Sequence, residues 1–264
     1  MISVLMAVNK TDKFLDKAIS SILHQSFTKF EFIIVCNGPL CVDICAHIEH
    51  NYSDPRIKLF KSWVPGLANA LNFGLNYCSF DYVARMDADD ISHMDRFEFQ
   101  LKFLEANLEY GIVGCKVELI DEAGNTLPDP FYFCKDNRHI KSKLPYLNTL
   151  CHPALMFRKK ALLDVGSYRY GFHSEDHDLF IRISDETEWK FANIDQLLFS
   201  YRRHSGQLTS GKQAWRISRE VSILLLSHFL RTGNPKYILG IILVSIPLLV
   251  TKQIVRKSIR KLKH

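Results

Sequence analysis

The chain has 264 residues, long enough for one large α/β domain with an appendage or for two modest domains. Its 47% apolar and 23% charged residues exclude wholesale disorder. The net charge of +6 is accounted for by Lys252, Arg256, Lys257, Arg260, Lys261 and Lys263 near the end, with no acid among them. The body is therefore neutral, and no nucleic-acid partner is expected.

Ser3 to Val8 is an apolar run of strand length. The opening MISVLMAVNK has no basic segment or cleavage site, so it reads as a first strand and not as a signal peptide. Thr11-Asp12 begins a helical pattern that runs through Gln25. Phe30 to Val35 predicts a second strand, ended by the turn Asn37-Gly38-Pro39. A helix follows over about Val42 to His50, then a third strand at Ile57–Phe60 and a helix after Gly66. Tyr82–Met86 predicts the fourth strand, which delivers Asp87, Asp89 and Asp90 at its end. The alternation predicts a mostly parallel sheet flanked by helices, with ligands bound at the carboxyl ends of its strands. Asn9, the Cys36-Asn37-Gly38 turn and the acid cluster all fall at such ends. Three carboxylates this close repel one another, and either water in an exposed turn or a bound cation could offset that.

Further on, Arg96–Glu105 predicts a helix and Gly111–Ile120 a strand, whereas 121–147, with Pro128, Pro130 and Pro145, reads as hairpin or loop. Helices are expected over 159–166, 175–183 and 211–230, with separate short strands at Trp189–Ala192 and Leu197–Tyr201. Residues 237–250 carry no charge but fall short of the roughly twenty a spanning helix needs. The tail beyond them reads as a basic amphipathic helix suited to an anionic membrane surface, or as a frayed end after a packed helix. The seven cysteines are irregularly spaced and form no CxxC, so free thiols are expected and zinc is not, although Cys41 and Cys45 stand four apart.

Several stretches together resemble the family 2 glycosyltransferases of the GT-A fold, over roughly residues 2 to 210. Ser3–Asn9 (SVLMAVN) is similar to the family's "SVIMPVYN", Ala18–Phe27 (AISSILHQSF) to "AIxSILxQTF", and Glu31–Pro39 (EFIIVCNGP) to "ELIIVDDGS". Asp87-Ala88-Asp89 stands as the DxD motif, followed by Asp95-Arg96 and Gln100. His152-Pro153, Gly166-Ser167-Tyr168, Ser174–Arg182 (SEDHDLFIR) and Tyr201–His204 (YRRH) resemble the family's "HPSVMF", "GGY", "xEDYDLWLR" and "YRxH".

The resemblance implies an α/β GT-A (Rossmann-like) domain over 1–210. Its nucleotide-sugar-binding half would be 1–90 and its acceptor and catalytic half 91–210, while 211–264 reads from its own composition as a helical, apolar then basic membrane-associating appendage. It implies inverting transfer of a sugar from a nucleotide-sugar donor, by habit UDP-linked, with Mn²⁺ or Mg²⁺ beside the diphosphate. Asp89 would be a direct metal ligand. Asp87 would bind through water or hold the ribose, and His204 would complete the shell unless it is simply a hydrogen-bonded loop residue. Asp176 would be the general base, kept ionised by a helix N-terminus, with Glu175 orienting the site or touching the acceptor. On local pattern alone, Ser174 reads as the cap of a helix with an acidic first turn, and the DxD and YRRH motifs reverse that reading. Asp90 reads as a helix cap or a support for the ligands. Val8, Asn9, Asn37, Asn69 and Asn72 are the remaining donor contacts.

Two departures bear on the donor. Cys36 and Asn37 replace the family acid that reads uracil, and Ala70-Leu71-Asn72 replaces "ARN". The acceptor implied is a saccharide or lipid-linked saccharide in cell-surface polysaccharide or lipopolysaccharide synthesis, at the inner face of the cell membrane. The alternatives are a sugar-nucleotide-binding protein without turnover and a metal-dependent phosphohydrolase. The latter expects its DxD after the first strand, not the fourth.

Overall fold

The computed structural model describes residues 1–128, 133–169, 174–204 and 214–244. The first half alternates as predicted: β1 (Ile2–Val8), α1 (Leu15–Leu23), β2 (Phe30–Asn37), α2 (Cys41–Asn51), β3 (Ile57–Ser62), α3 (Leu67–Leu75) and β4 (Tyr82–Met86). There follow β5 (Ile91–Ser92), α4 (Arg96–Ala106), β6 (Tyr110–Ile120), α5 (Asn137–Lys143), β7 (Met156–Arg158), α6 (Lys159–Leu163), α7 (Glu175–Glu186), β8 (Lys190–Arg202) and α8 (Ala214–Thr232). A further helical segment covers 236–244.

The strands form one sheet in the order β3-β2-β1-β4-β7-β6-β8-β5. The β3-β2-β1-β4 half is parallel, and β6 and β8 are parallel to each other. The three-residue β7 runs antiparallel to both β4 and β6, and β5 runs antiparallel to β8, so the sheet is mixed. Strand alternation assigns the two cores. Val4, Met6 and Val8 point into a core covered by α1, α2 and α4, while Leu5 points into one covered by α3, α5, α6, α7 and α8. At Gly74 in α3, an added Cβ would lie 2.4 Å from Leu5 Cδ1 and 2.7 Å from Val35 Cγ2, so any larger residue would have to push these side chains aside.

Three expectations change. Residues 121–147 are not all loop: Asp136 caps α5 by accepting from the His139 amide at 3.0 Å. The two short strands expected near Trp189 and Leu197 are one strand, β8, whose register against β6 shifts around Cys115 and Lys116. Asp90 caps no helix, because β5 follows it and α4 starts only at Arg96. All seven cysteines are free and buried. Residues 245–264, which include the basic tail, lie outside the described residues.

Candidate active site

The carboxyl ends of β1, β2 and β4 lie side by side, and the register sets Met86 level with Met6 and Cys36 level with Val8. Asn9 and the acid cluster therefore open onto one mouth. Asn37 is buried, with its amide oriented to donate to the Val8 carbonyl at 3.0 Å and to accept from the Gly66 amide at 3.2 Å. It joins two strand ends to the turn before α3, where Gly66 adopts φ 112°. Its polar atoms are committed to backbone. Asn69 likewise donates to the Pro65 carbonyl at 2.9 Å. Asn72 donates to the Tyr168 carbonyl at 2.7 Å and accepts from the Tyr168 amide at 3.0 Å. That bond brings the Gly166–Tyr168 turn against α3, and the Tyr168 hydroxyl meets His152 Nε2 at 2.8 Å. Burial, with the nearby Arg85 charge, pushes His152 well below the usual histidine range, so it is neutral.

Carboxylate oxygens of Asp87, Asp89 and Asp90 all lie within 4.8 Å of one another. Asp87 and Asp89 are half-buried and Asp90 is buried. Asp90 accepts from the Arg202 amide at 2.8 Å through one oxygen, and its other oxygen is buried with no partner. Burial and repulsion from Asp89 and Asp87 push the Asp90 carboxyl well up. Burial and Asp87 push Asp89 up as well, against the opposing pull of His204. An orphaned buried oxygen beside two mutually repelling carboxylates is an oxygen-rich donor set that suits a hard divalent cation. The end of β8 closes this side. His204 Nε2 lies 2.9 Å from Asp89 Oδ2, and Arg202 Nε donates to the Asp89 carbonyl at 2.8 Å. The Phe14 ring packs 5.0 Å from the His204 ring and 4.7 Å from the Arg202 guanidinium.

Glu175 and Asp176 open α7. Ser174 makes no side-chain cap bond there, so the capping alternative does not describe this helix start. Asp176 Oδ1 accepts from the His177 amide at 2.8 Å, and Oδ2 accepts from Asn148 Nδ2 at 3.0 Å. Burial pushes Asp176 upward despite the opposing pull of His177 and the helix amides, so the expected downward effect of the helix N-terminus loses to desolvation. Burial, and then Asp176, push Glu175 up to about 8. Burial and mutual repulsion therefore favour a proton shared within this pair.

Arg85 links the two acidic groups. Its guanidinium is buried, donates to Asp87 Oδ1 at 2.5 Å and to the Met86 carbonyl, and leaves Nε without a partner. Burial opposes its charge, yet Asp87, Tyr168 and Glu175 favour it strongly enough to raise its pKa. Asn148 is the support of the site that motif reading passed over, whereas Arg85 reads from the sequence as supporting structure beside the acids. For Arg85 the signal was a cation inside an apolar strand directly before the acids. Asn148, in a polar stretch without periodicity, gave none.

The parallel β3-β2-β1-β4 half, the acidic strand-end mouth and the paired carboxylates of Glu175 and Asp176 define a GT-A glycosyltransferase fold. The Glycosyl transferase family 2 model matches residues 3–166. Among curated relatives, an O-antigen biosynthesis glycosyltransferase of Escherichia coli, WbnJ, is 37% identical over 207 residues, 78% of this chain and 80% of that protein. A UDP-Gal:alpha-D-GlcNAc-diphosphoundecaprenol beta-1,3-galactosyltransferase of Escherichia coli is 32% identical over 213 residues, 76% and 73% of the two chains. Among solved structures, the mannosyltransferase PcManGT from Pyrobaculum calidifontis, in complex with GDP-Man and Mn²⁺, superposes with a TM-score of 0.65 at 16% identity, covering 91% of this chain and 67% of that one. TarS of S. aureus with UDP-GlcNAc gives 0.63 at 13% identity, over 86% and 66%. The chain thus spans about two thirds of the length of these solved structures. It belongs to glycosyl transferase family 2. Glu175, Asp176 and His204 lie beyond the stretch the family model matches.

Proposed function

We propose that the protein is an inverting, metal-dependent hexosyl- or N-acetylhexosaminyl-transferase. Its donor would be a UDP-sugar and its acceptor a saccharide or lipid-linked saccharide of cell-surface polysaccharide or lipopolysaccharide synthesis. The observation that carries this reading is the pairing of an acid cluster having an orphaned buried oxygen with a second, separate carboxylate pair, both within the field of Arg85. Asp89, Asp87 and His204 would hold Mn²⁺ or Mg²⁺, which when bound supplies positive charge to the departing diphosphate. Asp87 is aimed by Arg85, and Asp89 by His204. Asp176 takes the proton of the acceptor hydroxyl. Its two oxygens are fixed by Asn148 and the His177 amide, and burial makes it a stronger base than an exposed aspartate. Glu175, protonated, presents a donor to the acceptor or to Asp176 and does not add a second repelling charge.

Asn37 holds the cradle in shape, with Val8 and the turn at Gly66 as its partners, and Asn9 lies exposed at the rim. The WbnJ and galactosyltransferase relatives support the pathway and a lipid-carried acceptor, and hence a place at the inner face of the membrane. One solved neighbour carries a UDP-sugar and another a GDP-sugar, so the donor is to be tested across both classes.

The test is thermal protection and nucleotide release across UDP- and GDP-sugars, with and without Mn²⁺, on wild type and Asp176→Asn. Metal-dependent protection by a UDP-sugar is expected in both proteins, with transfer lost about 10²–10⁴-fold in the variant. Equal protection without metal would overturn the cation site, and undiminished transfer by Asp176→Asn would remove Asp176 as the base. Donor binding by wild type without transfer to any acceptor would favour the binding-protein alternative.

A further inference from the structure

Residues 214–244 form an antiparallel helical pair on the flank of α7. Ser218 Oγ donates to the Val244 carbonyl at 3.1 Å near one end, and the His228 and Tyr237 rings lie 5.6 Å apart near the other. The inward faces are explained by the body they meet. Leu224 and Leu225 are buried, His228 Nε2 meets Asp178 Oδ1 at 3.1 Å, and the Tyr237 hydroxyl donates to Asp185 at 2.6 Å. Gly240 abuts the backbone of Pro145, whose carbonyl oxygen would lie 1.9 Å from an added Cβ.

The outward faces are not explained by the body. Ile223, Leu226 and Leu230 recur at helical spacing on α8, and Leu239, Ile242 and Leu243 do the same on the second helix, all between 44% and 75% exposed. Scattered exposed leucines are ordinary, but six on the outer stripes of two neighbouring helices are a patch. Its borders are cationic. Arg219 stands one turn before Ile223 and Lys236 three residues before Leu239, while Arg231, after Leu230, pairs with Glu186 of α7. The sole acid in 214–244, Glu220, is buried and accepts from Arg216 at 3.0 Å.

We propose that this helical pair seats on an anionic lipid bilayer, with the six aliphatics entering the boundary between headgroups and acyl chains and the bordering cations meeting lipid phosphates. The proposal rests on the reading of the acceptor as lipid-linked and names the surface that would bring the enzyme to it. Charge selects this occupant over a second copy of the chain, because a symmetric self-contact would set cationic borders against each other. An apolar stripe with a basic edge is the pattern of interfacial helices. No helix among the described residues is long and apolar enough to cross a membrane. The inward ties give the seat a second effect. His228 and Tyr237 hold α7, and Asp178 lies two residues beyond Asp176, so lipid contact fixes the orientation of the carboxylate pair relative to the bilayer.

The experiment is co-sedimentation of the full chain with phosphatidylglycerol-containing phosphatidylethanolamine vesicles and with phosphatidylcholine vesicles. Wild type is compared with Leu226→Gln/Leu230→Gln/Leu239→Gln/Leu243→Gln and with a full-length variant carrying glutamines for the cations of 252–263. The four leucines are exposed, so fold and donor protection should be unchanged. Partition to anionic vesicles should fall by about tenfold or more in the leucine variant, and wild type should bind neutral vesicles weakly. Wild-type-like partition of the leucine variant, with loss only in the tail variant, would overturn the proposal. So would a change from dimer to monomer with partition unaffected. Loss of donor protection in wild type itself would strike the transferase reading instead, and that outcome is read without lipid.

Discussion

Replacing Glu175 by glutamine should make the protein less sensitive to alkaline pH. Glu175 is buried beside Asp176, and its carboxyl rises from the ordinary 4.5 to about 8. The folded protein therefore keeps a proton that the unfolded chain releases above 4.5. The stability this proton contributes is complete below 4.5 and is lost as pH rises through about 8. Each tenfold shift in a proton equilibrium is about 1.4 kcal/mol, so wild type should lose up to ~2.7 kcal/mol from this group between about pH 6 and about pH 9. Proton sharing with Asp176 lowers the expected figure to about 2 kcal/mol. Glutamine fills the same space and cannot ionise, so the variant should escape that loss. The assay is urea unfolding of both proteins in chelator at the two pH values, where the remaining titrating groups cancel. Parallel stabilities across the range would refute the assignment of the proton to Glu175.

Further expectations concern the supports of the site. Asn148→Ala should lower kcat about tenfold with donor KM unchanged, since it removes one bond to Asp176 and leaves the donor half intact; a changed donor KM alone would contradict this. His204→Ala should weaken Mn²⁺-dependent protection by roughly 10–100-fold, measured by metal titration of the thermal shift. Gly240→Ala places a Cβ against the Pro145 carbonyl and should destabilise by about 1–3 kcal/mol, with reduced transfer because Asn148 follows on the same loop. Thiol reagents at neutral pH should label none of the seven cysteines before unfolding, since all are buried and burial pushes Cys78 and Cys115 to about 12.

The parallel first half was legible almost residue by residue because β1, β2 and β4 are largely buried on both faces and the strands are separated by helices with clear apolar faces. Tyr82–Met86 and the strand-end acids came out as read. The second half was harder for physical reasons. In α5, NRHIKSK, Ile140 is the buried residue, so no apolar period marks the helix. In β8 the exposed stretch around Asp195 and Gln196 breaks the alternation where the register shifts, which splits one strand into two apparent ones. The acidic motifs pointed to their segments but not to their surroundings. Whether Asn37 faces a ligand or the backbone depends on the Gly66 turn lying across from it, and whether Asp176 titrates high or low depends on how deeply α7 is covered. Neither is a property of the local sequence.

The three-residue β7 sets how such an enzyme can diversify. It meets β4 over Tyr82 to Ala84 and β6 over Ile112 and Val113, and it is antiparallel to both. A one-residue slip inverts every side chain of a strand, so insertions in a continuous sheet would propagate from one half to the other. Here a slip in β6 or β8 meets a short reversed strand before β4, and the strand ends that carry Asn9, Asn37 and the acids keep their register. A change of length in the described segments beyond β7 therefore leaves the alignment of β1, β2 and β4 in place.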